Sequence, residues 1–246
     1  MMTSGEHWAI MPFIDCETYT EKALEDLQDQ GLKVLLIDNG SADAGLLRRS
    51  CGIKWGKNVH TWRHAPPLPS LAATWNRALD FVWTTKADRA LVVNNDVRLH
   101  KSTYEALHWA MDRTGAWFVS GVGVKEADFD PTIDLAALPR DHGGPDFSCF
   151  LISEHCHKVY RFDENFVPAY FEDNDYHRRM ELDGRGEKIF GIPVPFLHYG
   201  SVTINRTPEA AKAFSPKFER CREYYVKKWG GLPGQETFEV PFEVGF

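Results

Sequence analysis

The chain has 246 residues, enough for one sizeable α/β domain, or one domain with a tail, around a core that needs neither disulfides nor a structural metal. Its formal net charge of −7 disfavours a protein whose main business is a non-specific grip on a polyanion. Five cysteines (Cys16, Cys51, Cys149, Cys156, Cys221) are scattered without a CxxC pair, which argues against a zinc cluster or disulfide framework and fits a reducing compartment.

Polar and charged residues interrupt the first twenty positions, so no signal peptide is expected. Residues 7–13 read as a first strand, followed by a helix over 18–29 with Leu24 and Leu27 on one face and Gly31 at its end. Residues 33–37 and 59–62 read as the second and third strands, and Pro66-Pro67-Leu68-Pro69 as a stiff connector. Ser70 is placed to cap a helix running to about 84, with Leu71, Trp75, Leu79 and Val82 at helical spacing. Residues 89–93 give a fourth strand, Ser102 is placed to cap a helix to about 113, and 117–122 give a fifth strand. This β-α alternation implies a doubly wound, mostly parallel sheet flanked by helices.

The second half changes character. Residues 126–145, rich in Asp, Pro and Gly, read as a long loop over the crevice. Strands are expected at 147–152, 188–192 and 196–200, and helices at 173–183 and 208–229, the last ended by Gly230-Gly231. The expected organisation is a sheet domain over 1–205 and a helix with a tail, 206–246, packed on it. The segment 206–228 is locally basic; it reads first as a solvated helix face, and second as a surface for an anionic acceptor or a membrane. No run approaches the roughly 20 apolar residues that cross a bilayer, so a soluble, cytoplasmic protein is expected.

Three acidic stations stand out: Asp38-Asn39-Gly40-Ser41 after the second strand, Asn94-Asn95-Asp96 after the fourth, and Glu172-Asp173-Asn174-Asp175 at a helix start. Each also reads as an ordinary turn or cap. Ligands of open α/β sheets lie outside the carboxyl ends of the strands, so Asp38 and Asp96 are expected to share one crevice. Asp38 suits a nucleobase N–H, and Asp96 a hard cation. A helix N-terminus is expected to keep Asp173 ionised, as a base must be. His198, at a strand end, is a candidate additional metal contact.

In order and spacing, these stretches resemble the family 2 glycosyltransferases of the GT-A fold, in particular their rhamnosyltransferase-like branch. The likeness runs through Leu36-Ile37-Asp38-Asn39-Gly40-Ser41, Ala73-Thr74-Trp75-Asn76-Arg77-Ala78, Val92-Val93-Asn94-Asn95-Asp96, Phe162-Asp163-Glu164, Tyr170-Phe171-Glu172-Asp173 and His198-Tyr199-Gly200-Ser201. The resemblance implies an inverting, metal-dependent transfer from a nucleotide-diphosphate sugar, UDP- or dTDP-linked, to an acceptor hydroxyl. It implies Asp173, with its neighbour Glu172, as the catalytic pair, and Pro12, Asp38, Asn39, Asn76, Asn94 and Asn95 as donor contacts. Asp96 and His198 would hold Mn²⁺ or Mg²⁺, with Asn94 standing where the family's D-x-D motif has its first Asp. The acceptor is left open among a glycan, a lipid-linked sugar, a protein and a hydroxymethylated DNA base. The tail from Lys228 to Phe242 resembles tails of bacteriophage-encoded members. Two other readings share the fold: a non-catalytic nucleotide-sugar or carbohydrate-binding protein, and a sugar-phosphate nucleotidyltransferase. The second lacks its expected Gly-rich, basic phosphate loop after the first strand.

Overall fold

The computed structural model describes residues 6–50, 56–138 and 143–243. Its strands are β1 (Trp8–Phe13), β2 (Lys33–Asp38), β3 (Val59–Arg63), β4 (Arg89–Val93), β5 (Val97–Leu99), β6 (Phe118–Val124), β7 (Cys149–Ser153) and β8 (Ile189–His198). Its α-helices are α1 (Glu17–Asp29), α2 (Gly45–Ser50), α3 (Leu71–Val82), α4 (Thr103–Thr114), α5 (Glu154–Val159), α6 (Glu172–Leu182), α7 (Val202–Asn205) and α8 (Pro208–Trp229). Among the described residues the strands form one sheet in the order β3-β2-β1-β4-β7-β6-β8-β5. The β3-β2-β1-β4 half is parallel; β7 runs antiparallel to both β4 and β6, β8 runs parallel to β6, and β5 antiparallel to β8. The fold is α/β and Rossmann-like, as the alternation predicted.

Strand side chains alternate between the two faces, and both faces are covered. From β1, Ala9, Met11 and Phe13 enter a core with Leu24 and Leu27 of α1 and Leu107 and Met111 of α4. Trp8 and Ile10 enter the opposite core, with Trp75, Leu79 and Val82 of α3 and Tyr176 and Met180 of α6. Ser70 caps α3 as predicted, its Oγ accepting from the Ala73 N–H at 3.1 Å. Ser102 occupies the N-cap position of α4, but its side chain makes no capping bond.

Several elements differ from the sequence expectation, among them the short helices α2 and α7, which it did not include. β5 follows directly on the Asn94-Asn95-Asp96 loop, and α5 begins at the Ser153 cap, whose Oγ accepts from Cys156 N. The two strands expected at 188–192 and 196–200 are one strand, β8, carrying Pro193 and Pro195. Its pairing with β6 shifts between Ser120↔Gly191 and Val122↔Pro195, an irregularity of the kind that accommodates residues without an N–H. Of the long loop over 126–145, residues 139–142 lie outside the described residues; the described part carries two 3₁₀ turns, Glu126–Asp128 and Leu135–Ala137.

α8 fastens onto the segment that leads into α6. Phe166, Cys221, Tyr225 and Trp229 form a third apolar cluster, with Phe171, Leu182 and Tyr224 against it. Lys228, expected on a solvated face, is instead buried, with Nζ 2.6 Å from both Asp163 Oδ2 and Asp175 Oδ1.

Candidate functional site

A cavity of about 970 Å³ opens beyond the carboxyl ends of β1, β2 and β4. Pro12, Asn39, Asn94, Asn95, Asp96, Glu172, Asp173 and His198 all line it, so eight of the ten residues singled out from the sequence meet in one place. The remaining two do not reach it. Asp38 is fully buried; its Oδ1 accepts from Gly40 N at 3.1 Å and Ser41 N at 2.7 Å, and its Oδ2 lies 3.4 Å from the Arg63 guanidinium. Its Oδ1 closes the turn after β2, while Oδ2 is buried without a hydrogen-bond partner among the described residues. Asn76 is also buried and spends its amide on Phe162 O, Phe162 N, Glu164 and His157. It ties α3 to the 160s segment.

Asn39 reaches the cavity through its fixed amide, which bonds both Leu68 N and Leu68 O and so holds the proline connector at the rim. Asn95 donates to Thr20 Oγ1 at 3.0 Å, and Pro12, near the end of β1, joins the same wall. Asp96 lies beyond the end of β4, its Oδ2 accepting from Val202 N at 3.1 Å and its Oδ1 3.4 Å from His198 Nε2. Burial works against the charge of both groups. Their mutual hydrogen bond and attraction more than reverse this, holding the Asp96 carboxyl below its ordinary value and the His198 imidazole above its own. Ser148 Oγ lies 3.4 Å from the other ring nitrogen of His198.

Glu172 and Asp173 open α6 at the far side of this pair. The two residues before them, Tyr170 (φ 84°) and Phe171 (φ 71°), are bulky side chains in the left-handed region, a strain of order 1–3 kcal/mol each that clusters at functional sites. Packing against α8 holds them: Tyr170 meets Phe214 and Phe218, and Phe171 meets Phe218 and Tyr225. Tyr176 and Met180, further along α6, are buried in the core beneath the site. Burial pushes the Glu172 carboxyl up to about 8, the Asp173 charge adding to it, and Glu172 Oε2 is buried without a hydrogen-bond partner. Asp173, half-buried on the cavity wall, is also raised, by burial first. Desolvation outweighs the amide hydrogen bonds that this helix N-terminus supplies to Asp173, so its carboxyl is raised and not lowered.

The sequence reading missed several groups of the site. Asp146, Ser148, Tyr170, Arg206 and Lys217 also line the cavity. Arg206 lies 3.3 Å from Asp15, and Asp15, Cys16 and Ser201 are further left-handed residues. These residues come from distant parts of the chain, and the fold brings them together. Among the described residues no group of three or more His, Cys, Asp or Glu side chains forms a metal-binding cluster.

With this sheet order and this crevice, the fold is that of the GT-A class, α/β with a mostly parallel sheet. Solved structures share it. Glucosyl-3-phosphoglycerate synthase from Mycobacterium tuberculosis, crystallised with Mn²⁺, uridine diphosphate and glucosyl-3-phosphoglycerate, superposes with a TM-score of 0.58 at 11% identity, over 89% of this chain and 80% of that one. Residues 1–349 of S. aureus TarS superpose with a TM-score of 0.55 at 12% identity, over 86% of this chain and 65% of that one. A longer S. aureus TarS chain is covered over only 40% of its length, at a TM-score of 0.53 and 14% identity. At these identities the likeness is one of fold. No protein-family model matches the chain, and no curated protein matches it either. No helix among the described residues is long and apolar enough to cross a membrane.

Proposed function

We propose that this chain is an inverting glycosyltransferase that moves a sugar from a nucleotide-diphosphate sugar to an acceptor hydroxyl. The observation that carries the reading is the meeting, in one cavity, of a candidate base (Asp173) with a carboxylate–imidazole pair suited to a cation (Asp96 and His198). The likeness to a synthase crystallised with Mn²⁺ and uridine diphosphate supports it, as do the motifs shared with the rhamnosyltransferase-like branch. UDP- and dTDP-sugars are the favoured donors on that resemblance, and a bacteriophage-type tail is part of the same expectation. The acceptor is a hydroxyl-bearing molecule.

The donor set fits a hard divalent ion. One carboxylate and one imidazole 3.4 Å apart supply two ligands, and Mg²⁺ or Mn²⁺ in such enzymes takes its remaining oxygens from phosphates and water. A cation held there would neutralise charge on the leaving diphosphate.

In the proposed reaction Asp173 accepts the proton of the acceptor hydroxyl. That oxygen forms its bond to the anomeric carbon as the bond to the diphosphate breaks on the opposite side, through a transition state with oxocarbenium character. The nucleoside diphosphate leaves with the electron pair. Burial raises the Glu172 carboxyl and so disfavours a second negative charge beside the base. Arg206 and Lys217 add positive charge to the cavity in which that diphosphate departs.

The test is donor turnover with a panel of nucleotide sugars and acceptors, followed by mass spectrometry. Release of nucleoside diphosphate with a glycosylated product supports transfer. Pyrophosphate release points to nucleotidyl chemistry, and binding without turnover to a non-catalytic protein.

A further inference from the structure

Asp146 lies outside every motif of the resemblance, yet the fold holds it between the two halves of the site. Its neighbour Phe147 packs on Tyr176 of α6 (ring centroids 5.9 Å apart), less than one turn from Asp173. Two residues on, Ser148 lies against the His198 ring. Asp146 is tied down twice, its N–H donating to Ser120 Oγ at 2.8 Å and its Oδ1 accepting from Ser148 N at 2.9 Å, and Ser148 is itself held by its carbonyl accepting from Asn94 N at 2.9 Å. Its second oxygen, Oδ2, makes no hydrogen bond or ion pair among the described residues, although Asp146 lines the cavity.

The wall beside it is built from glycine. A Cβ at Gly123 would come within 2.9 Å of Asp146 Oδ2, so only glycine there leaves the carboxylate its place, and Gly121 and Gly144 line the same stretch. On the α6 side, Glu172 is 5% exposed and its Oε2 is also unpartnered. A wall with the buried, unpartnered Glu172 Oε2, a half-buried Asp146 oxygen without a protein partner and little side-chain bulk suits a flat, hydroxyl-rich ligand that can donate to both.

The transferred sugar must lie between the group that holds its diphosphate and the base that deprotonates its attacker. Asp146 stands at that interval. We infer that Asp146 is a specificity-determining contact that accepts a hydrogen bond from a hydroxyl of the transferred sugar. This rests on the glycosyltransferase reading above. Hydrogen bonds to a charged acceptor are strong enough to govern which hexose is used.

The test compares binding, by calorimetry with Mn²⁺ present, of a nucleotide sugar and of its parent nucleoside diphosphate. The nucleotide sugar is the one wild type binds from a panel of UDP-, dTDP- and GDP-linked hexoses. Asp146→Ala removes the acceptor, and Asp146→Asn keeps its shape and an oxygen for Ser148 N; a thermal melt verifies that each is folded. The expected result is a loss of about 10- to 100-fold in affinity for the nucleotide sugar in the Ala variant, with nucleoside diphosphate affinity unchanged. The Asn variant should lose less. Equal affinities for wild type and both folded variants would overturn the proposal alone, as would an equal loss for sugar-bearing and sugar-free nucleotides. Wild type binding no nucleotide sugar at all would overturn the glycosyltransferase reading, and this proposal with it.

Discussion

Lys228 offers the most direct perturbation of how α8 supports the site. Its side chain is 7% exposed and bridges Asp163, 13% exposed, and Asp175, fully buried. Removing one partner of a buried ion pair costs about 3–5 kcal/mol, because the other charge is left without compensation. Here Asp175 keeps Arg179 Nε at 2.9 Å and Trp229 Nε1 at 3.0 Å, and Asp163 keeps Tyr224 OH at 2.9 Å. Lys228→Met should therefore fall at the low end, about 3 kcal/mol, or about 6–12 °C in Tm at 2–4 °C per kcal/mol for a chain of this size. The sign of the pH dependence follows from Asp163. Burial raises its carboxyl, and the hydrogen bond and charge of Lys228 more than reverse that, leaving it below the ordinary value. A carboxyl depressed in the folded state contributes stability above its unfolded pKa and loses it as pH falls through the folded one. The gap between wild type and Lys228→Met should thus be full near neutrality and shrink below about pH 4. Urea melts across pH measure this, and hydrogen exchange should place the loss in α8. A change under about 1 kcal/mol, the worth of a surface pair, would refute the reasoning.

Three further outcomes are expected. Asp96→Ala should abolish Mn²⁺ binding in calorimetry and transfer in the assay, and EDTA should do the same to wild type; full activity in chelator would remove the cation from the account. Asp38→Ala strands the Gly40 and Ser41 N–H groups, so it should cost about 1–3 kcal/mol in a melt while the folded fraction keeps its donor affinity; lost affinity with an unchanged melt would return Asp38 to the nucleobase. Since burial raises Asp173 and a base must be deprotonated, kcat/KM should climb with pH along a limb centred above the ordinary carboxylate value of about 4, and a profile already flat there would contradict the raised carboxyl.

The sequence carried the fold well where periodicity is strong. The runs before Asp38 and Asp96 are buried parallel strands, and the helix over 208–229 was legible from its pattern, with Pro208 inside the start and Gly230 past the end. It failed at β8, where Pro193 and Pro195 read as breaks although a register shift carries them within one strand. It failed also at β5, too short for any alternation to register. Within the site, residues at strand ends were found because the chemistry follows apolar runs. Asp38 and Asn76 lie outside the cavity wall, which was not legible, because a polar side chain that satisfies backbone groups carries the same letters as one that faces a ligand. Asp146 was missed for the converse reason, since its role depends on Ser120, Gly123 and His198, all distant in sequence. Lys228 read as solvated because its partners, Asp163 and Asp175, lie more than fifty residues away.

The central claim is that Asp173 is the base of a sugar transfer, and steady-state transfer by Asp173→Asn tests it most directly. Asn keeps the size of the side chain and its capping ability, so the melt and the affinity for nucleotide sugar should be those of wild type. The account predicts a kcat lower by about 10²–10⁴-fold under those conditions, the usual worth of a positioned general base. Transfer at the wild-type rate by the folded, donor-binding variant would contradict it.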